Sequence, residues 1–227
     1  YSKFINYKIP FLTAKFAMSL DGKIATDTGK SKWISSIDSR KFVHSMRGKS
    51  DALMVGINTV LKDNPLLTNR YQLENIIQQP LRIIIDSHAR TPLNSKLLNQ
   101  PGETLIFVAN PKDKTCNDLI KNGAKIVKIP GENNQVDLVN VIKYLGSQNI
   151  TSILVEGGSI LLGALFEEGL IDKVVAFVSP IIIGGMKSKS PIQNNGIDFI
   201  KDAYLLKNIK INKIRDDVVI SGYIKGS

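Results

Sequence analysis

The sequence predicts an α/β fold: a single domain with a mixed, mostly parallel central sheet, helices on both faces and a C-terminal antiparallel hairpin. Short apolar runs alternate along the chain with segments of helical pattern, which is typical of β-α-β units. Apolar residues dominate most of these runs without regular alternation, as expected for parallel strands that are covered on both faces. Near the C-terminus, two strand-like segments flank the polar turn Arg215-Asp216-Asp217, and this pattern predicts the hairpin.

The predicted strands begin with residues 11–18, which end at the Asp-Gly turn signal of residues 19–22. Apolar runs predict six further strands, at 51–56, 81–86, 104–109, 124–129, 153–155 and 173–178. The hairpin strands are expected at 205–214 and 218–224.

Helices are predicted between these strands. Ser35 or Ser36 can cap a helix over residues 37–48, because a serine hydroxyl can accept a hydrogen bond from a free N–H of the first turn. A short helix at 58–61 is ended by Asp63-Asn64-Pro65. Three more helices are predicted at 114–122, 136–145 and 159–168, the first two ended by Gly123 and Gly146.

Composition narrows the class of protein. The 227 residues are 43% hydrophobic and 22% charged, and they contain no linker or repeat, which predicts one globular domain. The sequence contains no run of 18 apolar residues, so no membrane span is predicted, and residues 1–10 have no signal-peptide pattern. The single cysteine, Cys116, excludes an internal disulfide, so a cytoplasmic location is expected. His44 and His88 are not at metal-ligand spacing, and no metal is expected.

The formal net charge of +10 leaves several interpretations. The lysines are interleaved with apolar residues and aromatic residues make up only 7% of the chain, so no nucleic-acid surface is predicted. An exposed lysine coat and a general attraction for phosphorylated ligands both remain compatible with the charge.

Polar residues follow three of the predicted strands. The carboxyl ends of parallel strands meet at one edge of a sheet, where ligands bind. Convergence of three polar groups on this edge favours a binding site over an accident of loop composition. The groups are Asn58, Thr59, Asp63, Thr68 and Arg70 after the second strand, Asp86 and Ser87 after the third, and Glu156, Gly157 and Gly158 after the strand at 153–155.

The glycine turn after residue 155 is the most informative of these groups. Gly157 and Gly158 separate a buried strand from a helix that opens at Ser159, and a helix N-terminus with bare backbone favours a phosphate. The full G-x-G-x-x-G fingerprint is absent, so a plain strand-to-helix connection also explains the pattern. Glu156 is costly to bury unless it is paired or solvated in a pocket.

Other candidates have simple structural alternatives. Trp33 fits an anchor at the rim of the core as well as a stacking platform. Arg47 and Arg70, each taken alone, fit solvated surface arginines. Asp63 belongs to the sequence Asp-Asn-Pro, which is typical of turns and needs no functional explanation.

An ordered set of segments carries a family resemblance. The segments are AKFAMSLDGKIAT (14–26), SKWI (31–34), MR (46–47), TVLKDNPLLTNR (59–70), DS (86–87) and VEGG (155–158). Together they resemble the reductase domain of the riboflavin-biosynthesis deaminase–reductase, a member of the dihydrofolate-reductase-like fold group. On this resemblance, residues 1–10 are a connector and residues 11–227 the reductase domain. The zinc deaminase signature, H-x-E with P-C-x-x-C, is missing, so the chain is not expected to deaminate alone.

The resemblance implies NADPH-dependent reduction of the ribosyl group of 5-amino-6-ribosylaminouracil 5′-phosphate to ribityl. It also implies a homodimer and, in bifunctional members, an N-terminal deaminase domain. Asn64 stands where the family commonly has a second aspartate. The residues implied for NADPH are Ala17, Trp33, Thr59, Asp63, Ser87 and the run Gly158, Ser159, Ile160, Leu161, Leu162, Gly163 and Ala164. Those implied for the substrate are Ser31, Arg47, Leu67, Arg70 and Glu156.

The residue types agree with this chemistry, because arginine forks and a hydroxyl suit a sugar phosphate. Our mechanistic hypothesis is that the ribosylamine opens to an imine that accepts hydride at C1′, with the proton for ring opening supplied by Glu156, Asp63 or water. Two other classes of function stay open. One is a reductase of the same fold acting on the 2,5-diamino pyrimidinone phosphate or a pterin, and the other is a non-catalytic nucleotide-binding or basic nucleic-acid-binding module.

Overall fold

A computed structural model describes residues 2–70 and 79–225. Residue 1 of the predicted connector, and residues 71–78 and 226–227 of the predicted reductase domain, lie outside the described residues. The backbone divides into two compact units. Unit 1 contains Tyr1–Phe11 and His44–Gly158, and unit 2 contains Leu12–Val43 and Ser159–Ser227.

Helices and strands alternate over most of the described chain. The helices are α1 (Ser2–Tyr7), α2 (Ile37–Gly48), α3 (Ile57–Asp63), α4 (Asp113–Lys121), α5 (Leu138–Ser147) and α6 (Ser159–Glu167). The strands are β1 (Phe11–Ser19), β2 (Ala52–Gly56), β3 (Leu81–Ile85), β4 (Thr104–Val108), β5 (Ala124–Lys128), β6 (Ser152–Val155), β7 (Lys173–Ser179), β8 (Leu206–Ile214) and β9 (Asp217–Ile224). Within the described parts of the chain, no helix is long and apolar enough to cross a membrane.

Unit 1 contains a five-stranded parallel sheet in the order β5-β4-β3-β2-β6. All five residues of β4 and the first four of β2 are buried, as expected for parallel strands covered on both faces. Alternate side chains of β4 show the two faces. Ile106 belongs to the apolar cluster that includes Leu119 of α4, whereas Phe107 meets the ring of Tyr144 on α5 edge-on, with 5.7 Å between ring centroids.

Unit 2 contains the antiparallel part of the fold. β1 pairs with β7 in parallel, β7 pairs with β9 in antiparallel, and β9 returns to β8 as a hairpin. Arg215 closes the hairpin with a positive φ of 54°. The α/β fold class, with a mostly parallel sheet and a C-terminal antiparallel hairpin, is therefore confirmed.

The start of α2 follows the predicted serine cap. Ser36 Oγ accepts a hydrogen bond from the backbone N–H of Ser39 at 3.2 Å. The buried carboxylate of Asp217, the first residue of β9, accepts from the Ser36 N–H at 2.8 Å and the Ser39 hydroxyl at 2.6 Å. These bonds satisfy donors at the free helix end, and they explain why α2 begins at Ile37.

The prediction that Gly146 ends a helix is wrong. α5 continues to Ser147, and Gly146 lies inside it. A Cβ at this position would collide with the carbonyl oxygen of Lys8 and would lie 3.0 Å from its carbonyl carbon. Glycine is needed here for close approach of two backbones, and the sequence pattern of a glycine near a helix end does not distinguish that need from a C-terminal cap.

Gly163 on α6 has a similar packing constraint within unit 2. A Cβ there would collide with the carbonyl oxygen of Gln193 and lie 2.6 Å from its carbonyl carbon. We expect Gly163→Ala to lower the free energy of unfolding by about 1–3 kcal/mol, because the chain around Gln193 must move away. Urea denaturation measures this change. Ile160→Ala, at an exposed position of the same helix, is the control and should change stability by less than about 0.5 kcal/mol. Equal stability of Gly163→Ala and the wild type would contradict the packing constraint.

Candidate active site

A buried ion pair forms the centre of the polar cluster in unit 1. Arg47 lies in the last turn of α2, and Glu156 directly follows β6. Arg47 Nε donates to Glu156 Oε1 at 2.5 Å, and Nη2 donates to Oε2 at 2.8 Å. The side chains are only 14% and 6% exposed. The sequence-based expectation that Glu156 needs a partner is met, although the partner is a residue that was predicted to bind substrate.

Electrostatics keep the Arg47 guanidinium charged. Burial lowers the pKa of the Arg47 guanidinium, but the charge of Glu156 and its hydrogen bonds outweigh burial and raise that pKa overall. Arg47 Nη1 also donates to the Thr68 carbonyl oxygen at 2.9 Å. Each nitrogen of this guanidinium therefore has a protein acceptor, so Arg47 is fixed in the protein and fixes Glu156 in turn.

Arg70 differs from Arg47 in its surroundings. It is exposed, and its described contacts are with His44: the Arg70 backbone N–H donates to Nδ1 at 3.3 Å, and Arg70 Nη2 lies 3.3 Å from Nε2. Arg70 Nε and Nη1 donate no hydrogen bond to the part of the chain that the structure describes. Of the two arginines predicted for a phosphate, Arg70 is the one with donors available to a ligand.

His44 is the residue of this cluster that sequence reasoning missed. It is 5% exposed and stands one turn before Arg47 on α2. Burial, followed by the positive charges of Arg47 and Arg70, lowers the pKa of His44 to about 4. Its ring is therefore neutral near pH 7. The spacing of His44 and Arg47, three residues apart on a predicted helix, was the available signal that the two share a face.

The glycine turn after Glu156 has the backbone that the sequence predicted. Gly157 and Gly158 have φ values of 124° and 83°, which are favourable only for glycine. Among the described residues, a Cβ at Gly157 would meet only Thr59 Oγ1, at 3.8 Å, so the space beside Gly157 is open except for this hydroxyl. Backbone N–H groups next to a hydroxyl suit a pyrophosphate. The structure thus brings Thr59 next to the glycine turn.

Three other predicted site residues of unit 1 have different surroundings. Ser87 is buried, where its hydroxyl donates to Gln135 Oε1 at 3.1 Å and accepts from the Val136 N–H at 3.1 Å. Asp63 is exposed at the end of α3. Leu67 is buried, with a positive φ of 50°. The ligand contacts predicted for these residues stay predictions.

Unit 2 contains the remaining predicted site residues. Ala17 lies half-buried on β1, and Ser31 lies half-buried in the loop before α2. Trp33 is 72% exposed, with its ring 4.4 Å from the Arg40 guanidinium carbon. The roles of these three residues stay predictions.

The first turns of α6 limit how the run 158–164 could bind a cofactor. The Ser159 hydroxyl donates to Gln193 Oε1 at 2.6 Å. Leu161 and Leu162 are buried apolar side chains, whereas Ile160 is exposed and Ala164 is half-buried. Any contact by this run would come mainly from the backbone. Over residues 2–70 and 79–225, no cluster of three or more histidine, cysteine or acidic side chains could hold a metal.

Comparisons with known proteins identify the family. The family model described as the RibD C-terminal domain matches residues 10–220. The riboflavin biosynthesis protein RibD of Actinobacillus pleuropneumoniae is 36% identical over 219 residues, which span 96% of this chain and 57% of that protein. The 2,5-diamino-6-ribosylamino-4(3H)-pyrimidinone 5′-phosphate reductase of Methanothermobacter thermautotrophicus is 35% identical over 219 residues, 96% of this chain and 99% of that protein.

Solved structures agree with this family. A deaminase/5-amino-6-(5-phosphoribosylamino)uracil reductase from Thermotoga maritima superposes with a TM-score of 0.80 at 25% identity, covering 99% of this chain and 59% of that one. A dihydrofolate reductase from Enterococcus faecalis, at 12% identity, superposes with a TM-score of 0.52 over 95% of this chain and 96% of that one, which shows the shared fold alone.

The chain belongs to the RibD C-terminal domain family. The predicted family and the predicted class of enzyme, a reductase of riboflavin biosynthesis, are confirmed. The chain spans about three fifths of the length of the RibD relatives that it matches.

Proposed function

We propose that this chain reduces the ribosyl group of 5-amino-6-ribosylaminouracil 5′-phosphate to a ribityl group, with NADPH as the reductant. The observation that carries the proposal is the cluster in unit 1, where an exposed Arg70 guanidinium accompanies a buried, charge-paired Glu156. An exposed arginine fork suits a phosphate ester, and a fixed carboxylate suits the N–H and O–H groups of a ribosylaminopyrimidine. The names of the relatives support the same class of substrate.

Within this proposal the two arginines have different tasks. Arg70 captures the 5′-phosphate, because its Nε and Nη1 groups are available to an anion. Arg47 keeps Glu156 ionised and oriented. A carboxylate oxygen can accept more than one hydrogen bond, so Glu156 can accept one from the pyrimidine or the ribose while it is paired with Arg47.

NADPH, when bound, supplies the hydride that is delivered to C1′ of the sugar. The Gly157–Gly158 turn and the Thr59 hydroxyl are the unit 1 groups that fit its pyrophosphate. In unit 2, Ala17, Trp33 and the backbone of α6 are proposed as further cofactor contacts on the family resemblance. Ser31 is proposed in the same way as a substrate contact.

Ring opening of the ribosylamine requires a proton at the ring oxygen. Two hydrogen bonds from Arg47 favour the ionised form of Glu156, so we propose that Glu156 acts as an acceptor and that Asp63 or water delivers the proton.

A Glu156→Gln variant should then bind substrate more weakly and turn over more slowly. Wild-type turnover and affinity in that variant would remove Glu156 from the site.

The 2,5-diamino pyrimidinone phosphate is the second candidate substrate, and one observation favours it. The relative from Methanothermobacter thermautotrophicus is named for that substrate and matches this chain over 99% of its own length.

We also propose, on the resemblance to bifunctional relatives, that a deaminase domain lies on the same polypeptide and that the enzyme is homodimeric and cytoplasmic.

Turnover assays distinguish the candidates. Loss of nicotinamide absorbance is measured with each pyrimidine phosphate and with a pterin, and NADPH binding is followed separately by fluorescence. We expect consumption of NADPH with the deaminated uracil compound. Consumption with the diamino compound alone would favour the second candidate. NADPH binding without consumption on any of these compounds would indicate a non-catalytic nucleotide-binding module.

A further inference from the structure

The hydroxyl of Ser87, which the family resemblance implies for NADPH, is already engaged inside unit 1. Ser87 is 7% exposed, and its hydroxyl oxygen accepts from the Val136 N–H at 3.1 Å. The hydroxyl proton goes to Gln135 Oε1, also at 3.1 Å. A buried hydroxyl needs an acceptor for its proton, so the Gln135 carboxamide turns its oxygen toward Ser87. The proton of Ser87 is therefore not available to a phosphate, and Ser87 holds Gln135 instead.

Gln135 offers a donor in place of Ser87. It is an exposed residue of the loop between β5 and α5, and its Nε2 donates no hydrogen bond within residues 2–70 and 79–225. Because Oε1 is bound to Ser87, the carboxamide is fixed at one end and directs its two N–H bonds away from the serine.

The loop that carries Gln135 has a costly backbone. Asn133 and Asn134 have positive φ values of 52° and 57°. Backbone hydrogen bonds close the loop around them: the Gly131 N–H donates to the Gln135 carbonyl at 2.7 Å, and the Gln135 N–H donates to the Glu132 carbonyl at 2.9 Å. Two consecutive left-handed residues are costly even for asparagine, and such conformations concentrate at ligand sites.

A cation lies in the loop after β3, three residues beyond Ser87. The Arg90 guanidinium is 49% exposed and donates no hydrogen bond to the part of the chain that the structure describes. Asp86 Oδ1 lies 3.7 Å from Arg90 Nε, which is too far for a hydrogen bond, so this carboxylate holds the guanidinium by charge alone. In dinucleotide sites of parallel sheets, an arginine in this kind of loop accommodates the 2′-phosphate that distinguishes NADPH from NADH.

The strand order places these loops at a suitable distance from the glycine turn. Only β2 lies between β3 and β6, so the carboxyl ends of β3 and β6 are about 10 Å apart at the usual strand spacing. The proposed pyrophosphate site follows β6, and one ribose separates the pyrophosphate from the 2′-phosphate. The adenosine end of the cofactor can therefore extend along the sheet edge from Gly157 toward Ser87.

We propose that Gln135 is a cofactor-binding residue: its Nε2 donates a hydrogen bond to the 2′-phosphate of NADPH, together with Arg90, and Ser87 is the positioning residue that fixes the carboxamide. The inference rests on the proposed function for the identity of the cofactor. It assigns to Gln135 the contact that the family resemblance gives to the Ser87 hydroxyl. Asp86, the acid after β3, is fully buried and does not bind a ribose hydroxyl as an acid does in an NAD site.

An isosteric change at Gln135 tests the donor. Gln135→Glu keeps an oxygen that accepts from Ser87, but it replaces the Nε2 donor by a negatively charged oxygen. In fluorescence titrations of the full chain, we expect the Kd for NADPH to rise about tenfold or more. The Kd for NADH, which lacks the 2′-phosphate, should change less than about threefold. An unchanged Kd for NADPH, or an equal loss for NADPH and NADH, would overturn the proposal.

The control for this change is a second glutamine of unit 1. Gln148 is exposed just after the C-terminus of α5, so Gln148→Glu adds the same charge away from the carboxyl ends of the strands. Its Kd for NADPH should equal that of the wild type. A loss in Gln148→Glu as large as that in Gln135→Glu would mean that overall charge, and not the Nε2 contact, weakens binding.

A double-variant cycle tests the positioning role of Ser87. Ser87→Ala and Gln135→Ala should each raise the Kd for NADPH about three- to tenfold. The double variant should bind no more weakly than Gln135→Ala alone, because Ser87 acts through Gln135. Additive losses would mean that the serine contacts the cofactor itself, and they would overturn the positioning role.

The outcomes separate this proposal from the proposed function. Selective loss of NADPH affinity in Gln135→Glu, in a protein that consumes no pyrimidine phosphate, would support the role of Gln135 while the proposed function fails. An active wild type whose Kd for NADPH is unchanged in Gln135→Glu would leave the function standing and overturn the role of Gln135. A wild type that binds no NADPH would overturn both.

Discussion

Replacing Arg47 by methionine should lower the free energy of unfolding by about 3–5 kcal/mol. The substitution leaves the Glu156 carboxylate, only 6% exposed, without the two hydrogen bonds and the opposite charge that compensate its burial. It also leaves the Thr68 carbonyl without the Nη1 donor. Urea denaturation followed by circular dichroism measures the change.

Two controls show whether burial of the charge is the cause. The double variant Arg47→Met, Glu156→Gln also removes the charge of the buried carboxylate, so it should be more stable than Arg47→Met alone. Lys125→Met breaks an exposed ion pair with Glu103, whose side chains are 63% and 62% exposed, and should cost less than about 1 kcal/mol. If Arg47→Met were as mild as Lys125→Met, the ion pair would not be the stabilising centre of the cluster.

Arg70→Ala should have the largest effect on substrate capture. Loss of hydrogen bonds to a charged group is worth about 1.5–3 kcal/mol, which corresponds to a rise in KM of roughly 10- to 150-fold. Because Arg70 is exposed, the free energy of unfolding should change little. Steady-state kinetics with the pyrimidine phosphate measures KM, and a urea titration of the same preparation measures the free energy of unfolding.

The control for this variant is an exposed arginine elsewhere in the chain. Arg215, at the hairpin turn, is 73% exposed and pairs with Asp38, so Arg215→Ala should leave KM unchanged. An equal KM in Arg70→Ala and Arg215→Ala would mean that the phosphate binds at another place.

The central parallel strands could be predicted because their own residues are mostly apolar. β2 is apolar throughout and β4 is apolar except for Thr104, which is the pattern of parallel strands covered on both faces. Gly146 could not be assigned in the same way, because its reason is the Lys8 carbonyl, more than a hundred residues earlier in the chain.

The candidate site was predictable in its residues but not in their pairing. The sequence indicated that Glu156 needs a partner, yet 109 residues separate it from Arg47, and no local pattern encodes a contact of that range. For the same reason, the sequence did not identify His44 as part of the site. Its depressed pKa depends on burial and on Arg70, which reaches it from a different segment of unit 1. The ligand contacts taken from the family resemblance are still predictions.

The sequence separation within the Arg47–Glu156 pair has a consequence for synthesis of the chain. β6 pairs with β2 about a hundred residues upstream, and Glu156 is among the last residues of unit 1 to leave the ribosome. Until then the guanidinium has no counterion, and the nascent sheet has an open β2 edge. The fold of unit 1 is therefore completed late. Pairing of β6 with β2 is a contact between distant parts of the chain, and it brings Glu156 to Arg47 in the same step.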